Sequence, residues 1–230
     1  PKVEGGFDEK IAIIGAGPAG LSCAYYLALL GYNPTVFEKN ELPGGMMQYG
    51  ISTYKLEKDV LAAEIDVIRE LGVEIKTGVE IGKDLTIQDL KDQGYKAFYI
   101  AIGCQGGRRP GVPNDDAANT DIAVHFLQDS THKGHPDLPG KVVVIGGGNV
   151  AIDCAINAAK RNAESVTMIS LETPEEMPAG KEEIQEAKDV NVQFMTSWGP
   201  QEVFVDDNNK VKGLRLKKCL RTIDPETKRF

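Results

Sequence analysis

Ile11-Ala-Ile-Ile-Gly-Ala-Gly-Pro-Ala-Gly20 and Val142-Val-Val-Ile-Gly-Gly-Gly-Asn-Val-Ala151 decide the fold of this 230-residue chain, because they are two copies of one strand–turn–helix pattern. In each copy an apolar strand runs into a tight turn that its first glycine, Gly15 or Gly146, permits. The second glycine, Gly17 or Gly148, removes the Cβ that would block a pyrophosphate, and the third small residue, Gly20 or Ala151, lets the next helix pack closely on the strand. Ala16, Pro18 and Ala19 complete the first turn; Gly147, Asn149 and Val150 complete the second. Pro18 suits an opening helical turn, where no N–H is needed from it. The free N–H groups and positive dipole end of each helix then face the phosphates. One such glycine pattern is weak evidence of a nucleotide site, whereas two, each between an apolar strand and a helical stretch, are far stronger. Two nucleotide sites imply electron transfer between two cofactors.

The copies form an internal repeat. Lys10, Ile14, Gly15, Gly17, Cys23, Ala24 and Ala28 fall on Lys141, Ile145, Gly146, Gly148, Cys154, Ala155 and Ala159. The length could hold one large domain or two small ones, and the repeat decides for two. The expected fold class is α/β, with two Rossmann-like dinucleotide-binding domains: one over residues 8–104, a polar connecting region over 105–140, and a second over 141–230. The connecting region is rich in Gly, Pro, Asn and Asp, with one short apolar stretch, Ile122 to Leu127.

Local patterns place the remaining elements. Leu21 to Leu30 reads as a helix ended by Gly31, and Thr35-Val-Phe as a strand that delivers Glu38 eighteen residues after Gly20. The fingerprint expects an acid roughly 20 residues on, accepting hydrogen bonds from the adenosine ribose hydroxyls. Pro43 to Gly50 reads as a loop able to approach a flat cofactor, Leu56 to Leu71 as a helix, Val73 to Thr77 as a strand and Thr86 as a helix N-cap. Ala97 to Gly103 reads as a buried strand. In the second half the pattern gives a helix over 151–162, a strand over 166–169, a helix around 181–188, a strand over 192–196 and a hairpin from Glu202 to Leu216.

A formal charge of −8 without a Lys/Arg cluster argues against nucleic acid or an anionic membrane as partner. No apolar run approaches the roughly 20 residues of a membrane span, and the first ten residues resemble no signal peptide, so a soluble cytoplasmic protein is the expectation. Cys23, Cys104, Cys154 and Cys219 are too scattered for a C-x-x-C or cluster-binding run; Cys23 and Cys154 are expected as small buried groups in their helices. His125, His132 and His135 have spacings that suit no helical metal face, and no metal site is expected.

With these pieces placed, the whole chain resembles the FAD/NAD(P)H module of the glutamate synthase small subunit, shared with dihydropyrimidine dehydrogenase and ferredoxin-linked NADPH oxidoreductases. The most specific match is Gly44-Gly45-Met46-Met47-Gln48-Tyr49-Gly50-Ile51-Ser52-Thr53-Tyr54-Lys55-Leu56, where that family typically shows Gly-Gly-Leu-Leu-x-Tyr-Gly-Ile-Pro-x-Phe-Arg-Leu. Ser52 stands for the usual proline, Lys55 for the arginine and Met46-Met47 for the leucines. The resemblance implies FAD at the first site, touched by Gly15 to Gly20, Glu38, Lys39, Gly45, Met46, Lys55, the strand-end residues Ala101 and Gly103 and, through the adenine, Ile81. It implies a nicotinamide nucleotide at the second, on Gly146 to Ala151, and an iron–sulfur domain or subunit as electron acceptor. The family's NADPH users carry Tyr-Arg-Arg where this chain has Ser170-Leu171-Glu172, so Glu172 and NAD(H) in preference to NADP(H) are expected there.

A four-cysteine iron–sulfur domain is then expected before Pro1, and after Phe230 a returning segment with a Gly-Asp dipeptide that completes the FAD fold, which makes the chain an excerpt with a part-built flavin site. Two other readings stay open. One is a thioredoxin-reductase-like disulfide oxidoreductase, disfavoured because it needs a thiol pair. The other is a non-catalytic docking or sensing module that binds one dinucleotide.

Overall fold

A computed structural model describes residues 6–132, 137–223 and 226–227, and every structural statement below concerns those residues. His135 and the side chain of His132 lie outside them. The chain divides into two compact units, Pro1–Gln105 and Gly106–Phe230.

The first unit is built on β1 (Lys10–Ile14), α1 (Pro18–Leu29), β2 (Pro34–Glu38), α2 (Met46–Tyr49), α3 (Lys58–Glu70), β3 (Glu74–Thr77), α4 (Ile87–Asp92) and β4 (Tyr95–Ile100). Its four strands are all parallel and lie in the order β3-β2-β1-β4. Parallel neighbours need crossovers long enough to hold a helix, and these helices cover the sheet. Successive β1 residues point to opposite faces. Ile13 packs with Leu21, Ala24 and Ala28 of α1 and Leu61 and Ile65 of α3, while Ala12 and Ile14 pack with Phe37, Leu90 and Tyr95 on the α4 side. Burial on both faces explains why β1 reads as a continuous apolar run. The cap expected at Thr86 is present as a reciprocal pair: the Asp89 N–H donates to Thr86 Oγ1 at 3.1 Å and the Thr86 N–H to Asp89 Oδ2 at 2.7 Å. Those Thr86 bonds hold the Asp89 carboxyl below the usual carboxylate range.

Two expectations need correction here. The strand expected over 97–103 runs from Tyr95 to Ile100 and is buried only in part: Tyr95 is in the core and Phe98 packs against it, whereas Tyr99 is 43% and Ile100 57% exposed. An apolar, β-branched run reports strand propensity, but burial depends on what covers the strand, and β4 pairs only with β1 at the edge of the sheet. The loop expected at Pro43–Gly50 contains the helical turn α2, whose glycine flanks hide it from a periodicity argument.

The second unit contains α5 (Ala123–His132), β5 (Lys141–Ile145), α6 (Asn149–Lys160), β6 (Ser165–Ile169), α7 (Lys181–Asp189), β7 (Gln193–Met195), β8 (Trp198–Val205) and β9 (Val211–Lys218). A parallel sheet in the order β5-β6-β7 repeats the β1-β2-β3 part of the first unit's sheet, and β8 and β9 form an antiparallel hairpin. Ile152, Ala155, Ile156 and Ala158 of α6 pack with Val166 and Met168 of β6 and Ala187 of α7.

The polar stretch after Gln105 is folded into this unit. Its apolar residues open α5, which is joined to the end of α6 by a buried bond from Arg161 Nη1 to Ser130 Oγ at 2.9 Å, with the guanidinium 5.1 Å from the Phe126 ring. Asn114 donates to the Val203 carbonyl at 2.8 Å, and Asn119 accepts from the Val211 N–H at 2.7 Å, tying the same stretch to the hairpin. All four cysteines are free. Cys154 is buried as expected, which pushes its thiol up to about 12, whereas Cys23 is only partly buried.

Candidate dinucleotide-binding sites

The glycines of the first turn have different reasons to be glycine. Gly15 ends β1 with φ 103°, a left-handed conformation that disfavours a side chain, and its N–H donates to the Phe37 carbonyl at 2.7 Å. A Cβ there would overlap the carbonyl of Ala101, whose own N–H donates to Ile14 at 2.8 Å. Gly20 is closed in the same way, by the carbonyl of Gly15. Gly17 is not: its backbone is extended, and an added Cβ would meet only the Gly45 Cα, at an ordinary 3.8 Å. The fold gives Gly17 no packing reason to lack a side chain. The turn is thus left open over Gly17, the space a pyrophosphate would need.

The loop before α2 leans on this turn. The Gly44 N–H donates to the Ala16 carbonyl at 2.7 Å, and a Cβ on Gly45, whose φ is 56°, would reach within 2.7 Å of the Gly17 Cα. Glu38 joins them from the end of β2. It is 4% exposed; its Oε2 accepts from the Ala16 N–H at 2.8 Å and its Oε1 from the Asn40 N–H at 2.9 Å. Each carboxylate oxygen can accept more than one hydrogen bond, so acceptor capacity remains. Glu38→Ala leaves two backbone donors without their acceptor and should cost on the order of 1–3 kcal/mol of stability. Side-chain removal thus touches fold as well as binding, and a thermal melt of the variant checks it.

Contacts therefore gather Gly15, Ala16, Gly17, Gly20, Glu38, Gly45 and Ala101 around one turn. Pro18 and Ala19 open α1 with exposed side chains. Lys39 and Lys55 are exposed, Met46 opens α2, Ile81 packs on the α4 face, and Gly103 is exposed with φ 67°.

The second turn repeats the construction. Gly146 has φ 138°, and its N–H donates to the Ile169 carbonyl at 2.8 Å, the counterpart of the Gly15–Phe37 bond. Gly148 is extended, and a Cβ on it would enter open space. Ala151 is buried under the turn, and Val150 is exposed. A Cβ on Gly147 would come within 2.7 Å of Glu172 Oε2, which places the Glu172 carboxylate beside the turn. The matching Phe37 and Ile169 bonds put Ser170, not Glu172, in the place Glu38 holds in the first unit. Asn149 departs from a simple nucleotide contact, because its Oδ1 accepts from the Gly180 N–H at 2.8 Å. The Ala179 N–H also donates to the Gly147 carbonyl, at 3.2 Å, so residues 179 and 180 are strapped to the turn.

One residue near the first site went unnoticed in the sequence. Lys58 is the first residue of α3, and its Nζ donates to the carbonyls of Met47 at 2.7 Å and Ile51 at 2.6 Å, with burial pulling its ammonium below the usual lysine range. A cation opening a helix works against the dipole, and that misfit is the signal that could have singled it out. Beside it, the Tyr49 hydroxyl accepts from the Leu42 N–H at 2.9 Å; burial pushes its pKa up, opposed by that bond.

Two units, each a parallel sheet with a glycine turn on its first strand and an open second glycine, have the two-dinucleotide-binding fold of the pyridine-nucleotide flavoproteins. The chain belongs to the pyridine nucleotide-disulphide oxidoreductase family, whose pattern it matches over residues 9–224. It is 41% identical to the NADP(+)-dependent formate dehydrogenase subunit beta of Moorella thermoacetica, covering 93% of this chain and 30% of that protein. Identity is 34% to the glutamate synthase [NADPH] small chain of Escherichia coli, covering 90% of this chain and 46% of that protein. It is 37% to the same organism's NAD-dependent dihydropyrimidine dehydrogenase subunit PreT, with 90% and 50% covered. The chain thus spans between about a third and a half of these relatives. Mycobacterium tuberculosis FprA in complex with NADPH shares the fold, with a TM-score of 0.77 at 18% identity over 91% of this chain and 63% of that one. The resemblance to the glutamate synthase module is therefore borne out.

Proposed function

We propose that the chain is the pyridine-nucleotide:flavin oxidoreductase module of a larger enzyme, with FAD on the first unit, a nicotinamide nucleotide on the second, and an iron–sulfur domain or subunit as electron acceptor. The observation that carries this reading is the pair Gly17 and Gly148, whose missing side chains serve no packing. FAD, when bound, supplies the two-electron acceptor for the nicotinamide hydride and passes electrons onward singly. The chain's part is to bind and orient. Of Gly15 to Gly20, Gly17, Ala19 and Gly20 offer backbone N–H groups at the α1 N-terminus, since those of Gly15 and Ala16 are held by Phe37 and Glu38 and Pro18 has none. Glu38 holds the turn and has capacity left for ribose hydroxyls, and Gly45, Met46 and Ala101 line the approach. Lys39, Ile81 and Gly103, with Lys55 in place of the usual arginine, are assigned to the same cofactor by the resemblance to the family. On the second unit Gly146 to Ala151 do the corresponding work, with Asn149 acting through its hold on Gly180. No residue of this chain is needed as acid or base.

The test is stoichiometry with spectroscopy. One FAD per chain whose visible absorbance bleaches on adding reduced nicotinamide nucleotide supports the reading. One bound nucleotide without bleaching favours a sensing module instead. No helix among the described residues is long and apolar enough to cross a membrane, and none of their side chains cluster as a metal site.

We further propose that the second site prefers NADH. Two of the relatives above carry NADP(H) in their names and one NAD, so the choice rests on this chain's residues. Glu172 holds its carboxylate beside Gly147, and Ser170-Leu171 offers no arginine for a 2′-phosphate. A carboxylate about 4 Å from a phosphate is unfavourable by about 1 kcal/mol per charge pair even in bulk water. The missing charge-assisted bonds add to that. The expected kcat/KM for NADH exceeds that for NADPH by about tenfold or more, and Glu172→Arg narrows the gap. A wild-type preference for NADPH would overturn the assignment.

A further inference from the structure

We propose that Lys58 is a positioning residue that clamps the Met46–Ile51 turn against the first glycine turn, and so sets the seat of the flavin. α2 is a single helical turn, and its C-terminal carbonyls have no partner further along the helix. Lys58 supplies one from outside: its Nζ donates to the Met47 carbonyl at 2.7 Å and to that of Ile51 at 2.6 Å. A lysine is disfavoured at the start of α3 but favoured at the end of α2, where its charge meets negative dipole ends, so these two bonds explain its position. At its other end the turn is fixed by the Gly44 N–H to Ala16 bond and by the close approach of Gly45 to Gly17. The turn is thus pinned on one side to the phosphate-binding backbone and on the other to α3. The Gly50 and Ile51 N–H groups, which both donate to the Met46 carbonyl, report whether it is closed. The flavin part of the inference rests on the proposed FAD reading.

The experiment compares Lys58→Met, which keeps the stem and loses the charge, with Lys58→Arg, which keeps both charge and donors, in the full chain. Amide exchange is read at Gly50 and Ile51, with α3 and β1 as internal standards. Lys58→Met is expected to raise exchange at Gly50 and Ile51 roughly tenfold, with Lys58→Arg restoring most of the protection. Unchanged exchange in the Met variant overturns the clamp, and so does equal loss of protection in α3 and β1, since Lys58 would then hold the fold and not the turn. FAD affinity is titrated in parallel, with an expected weakening of about tenfold in Lys58→Met and recovery in Lys58→Arg. If the wild type binds no FAD, the flavin reading fails while the exchange result still decides the clamp. If FAD binds the Met variant unchanged although its turn exchanges faster, the turn is clamped but does not seat the flavin.

Discussion

Gly20→Ala should unfold the first unit or lower its melting temperature by roughly 15 °C. The added methyl overlaps the Gly15 carbonyl oxygen and also lies 3.1 Å from that carbonyl carbon and 3.2 Å from Ile13 Cγ2. All of these are part of β1 or its turn, and none can swing aside as a surface side chain would. Relief requires α1 to move off the sheet, which opens the packing of Ile13 with Leu21, Ala24 and Ala28. Overpacking of this kind typically costs about 1–3 kcal/mol, and a rigid backbone neighbour puts this site at or above the upper end. Calorimetry decides: a melting temperature within about 2 °C of the wild type would show that the helix can shift at little cost. The corresponding residue of the second unit is already Ala151, so that turn accommodates a methyl where the first does not.

Gly148→Ala should do the opposite, leaving the fold intact and weakening nucleotide binding about a hundredfold. Its φ of −94° and ψ of 173° suit any residue, and the added methyl meets no protein atom within 4 Å. Stability should therefore change by no more than about 0.5 kcal/mol. The methyl would stand in the space a pyrophosphate needs, and a hundredfold loss corresponds to about 2.7 kcal/mol. Calorimetric titration of the full chain with NADH reads the affinity, and binding as tight as in the wild type would mean that no phosphate lies over this turn.

The parts of the fold legible in the sequence are those fixed by short-range geometry. Gly15 and Gly146 end strands in a left-handed backbone, Thr86 and Asp89 cap a helix three residues apart, and Glu38 sits at a set distance from its turn. Features set by distant neighbours were less legible. Tyr99 and Ile100 look like core residues, but their exposure is a property of the sheet edge. α5 escaped notice because its apolar residues lie in a stretch dominated by turn formers, and the bond from Arg161 to Ser130 spans thirty-one positions. In the site, the turns and Glu38 could be read directly. Lys58 and the bond between Asn149 and Gly180 could not, since each is defined by a carbonyl or N–H that any residue carries.

The matched bonds from Gly15 to Phe37 and from Gly146 to Ile169 also bear on how such a chain can evolve. After a duplication, the parts that hold a sheet together and the parts that address a nucleotide need not change together. Gly15, Gly20 and the β1–β2 register belong to the first group, with Gly146 and the β5–β6 register as their counterparts. The residues at the end of each unit's second strand, Glu38 in one and Ser170 to Glu172 in the other, belong under the proposed function to the second group, with Glu38 also bonded to its own turn. One copy can therefore be turned toward a new ligand by a few substitutions at a strand end while the inherited framework stays under its own selection. Under the proposed function, the two copies of one pattern serve as successive stations for the same pair of electrons.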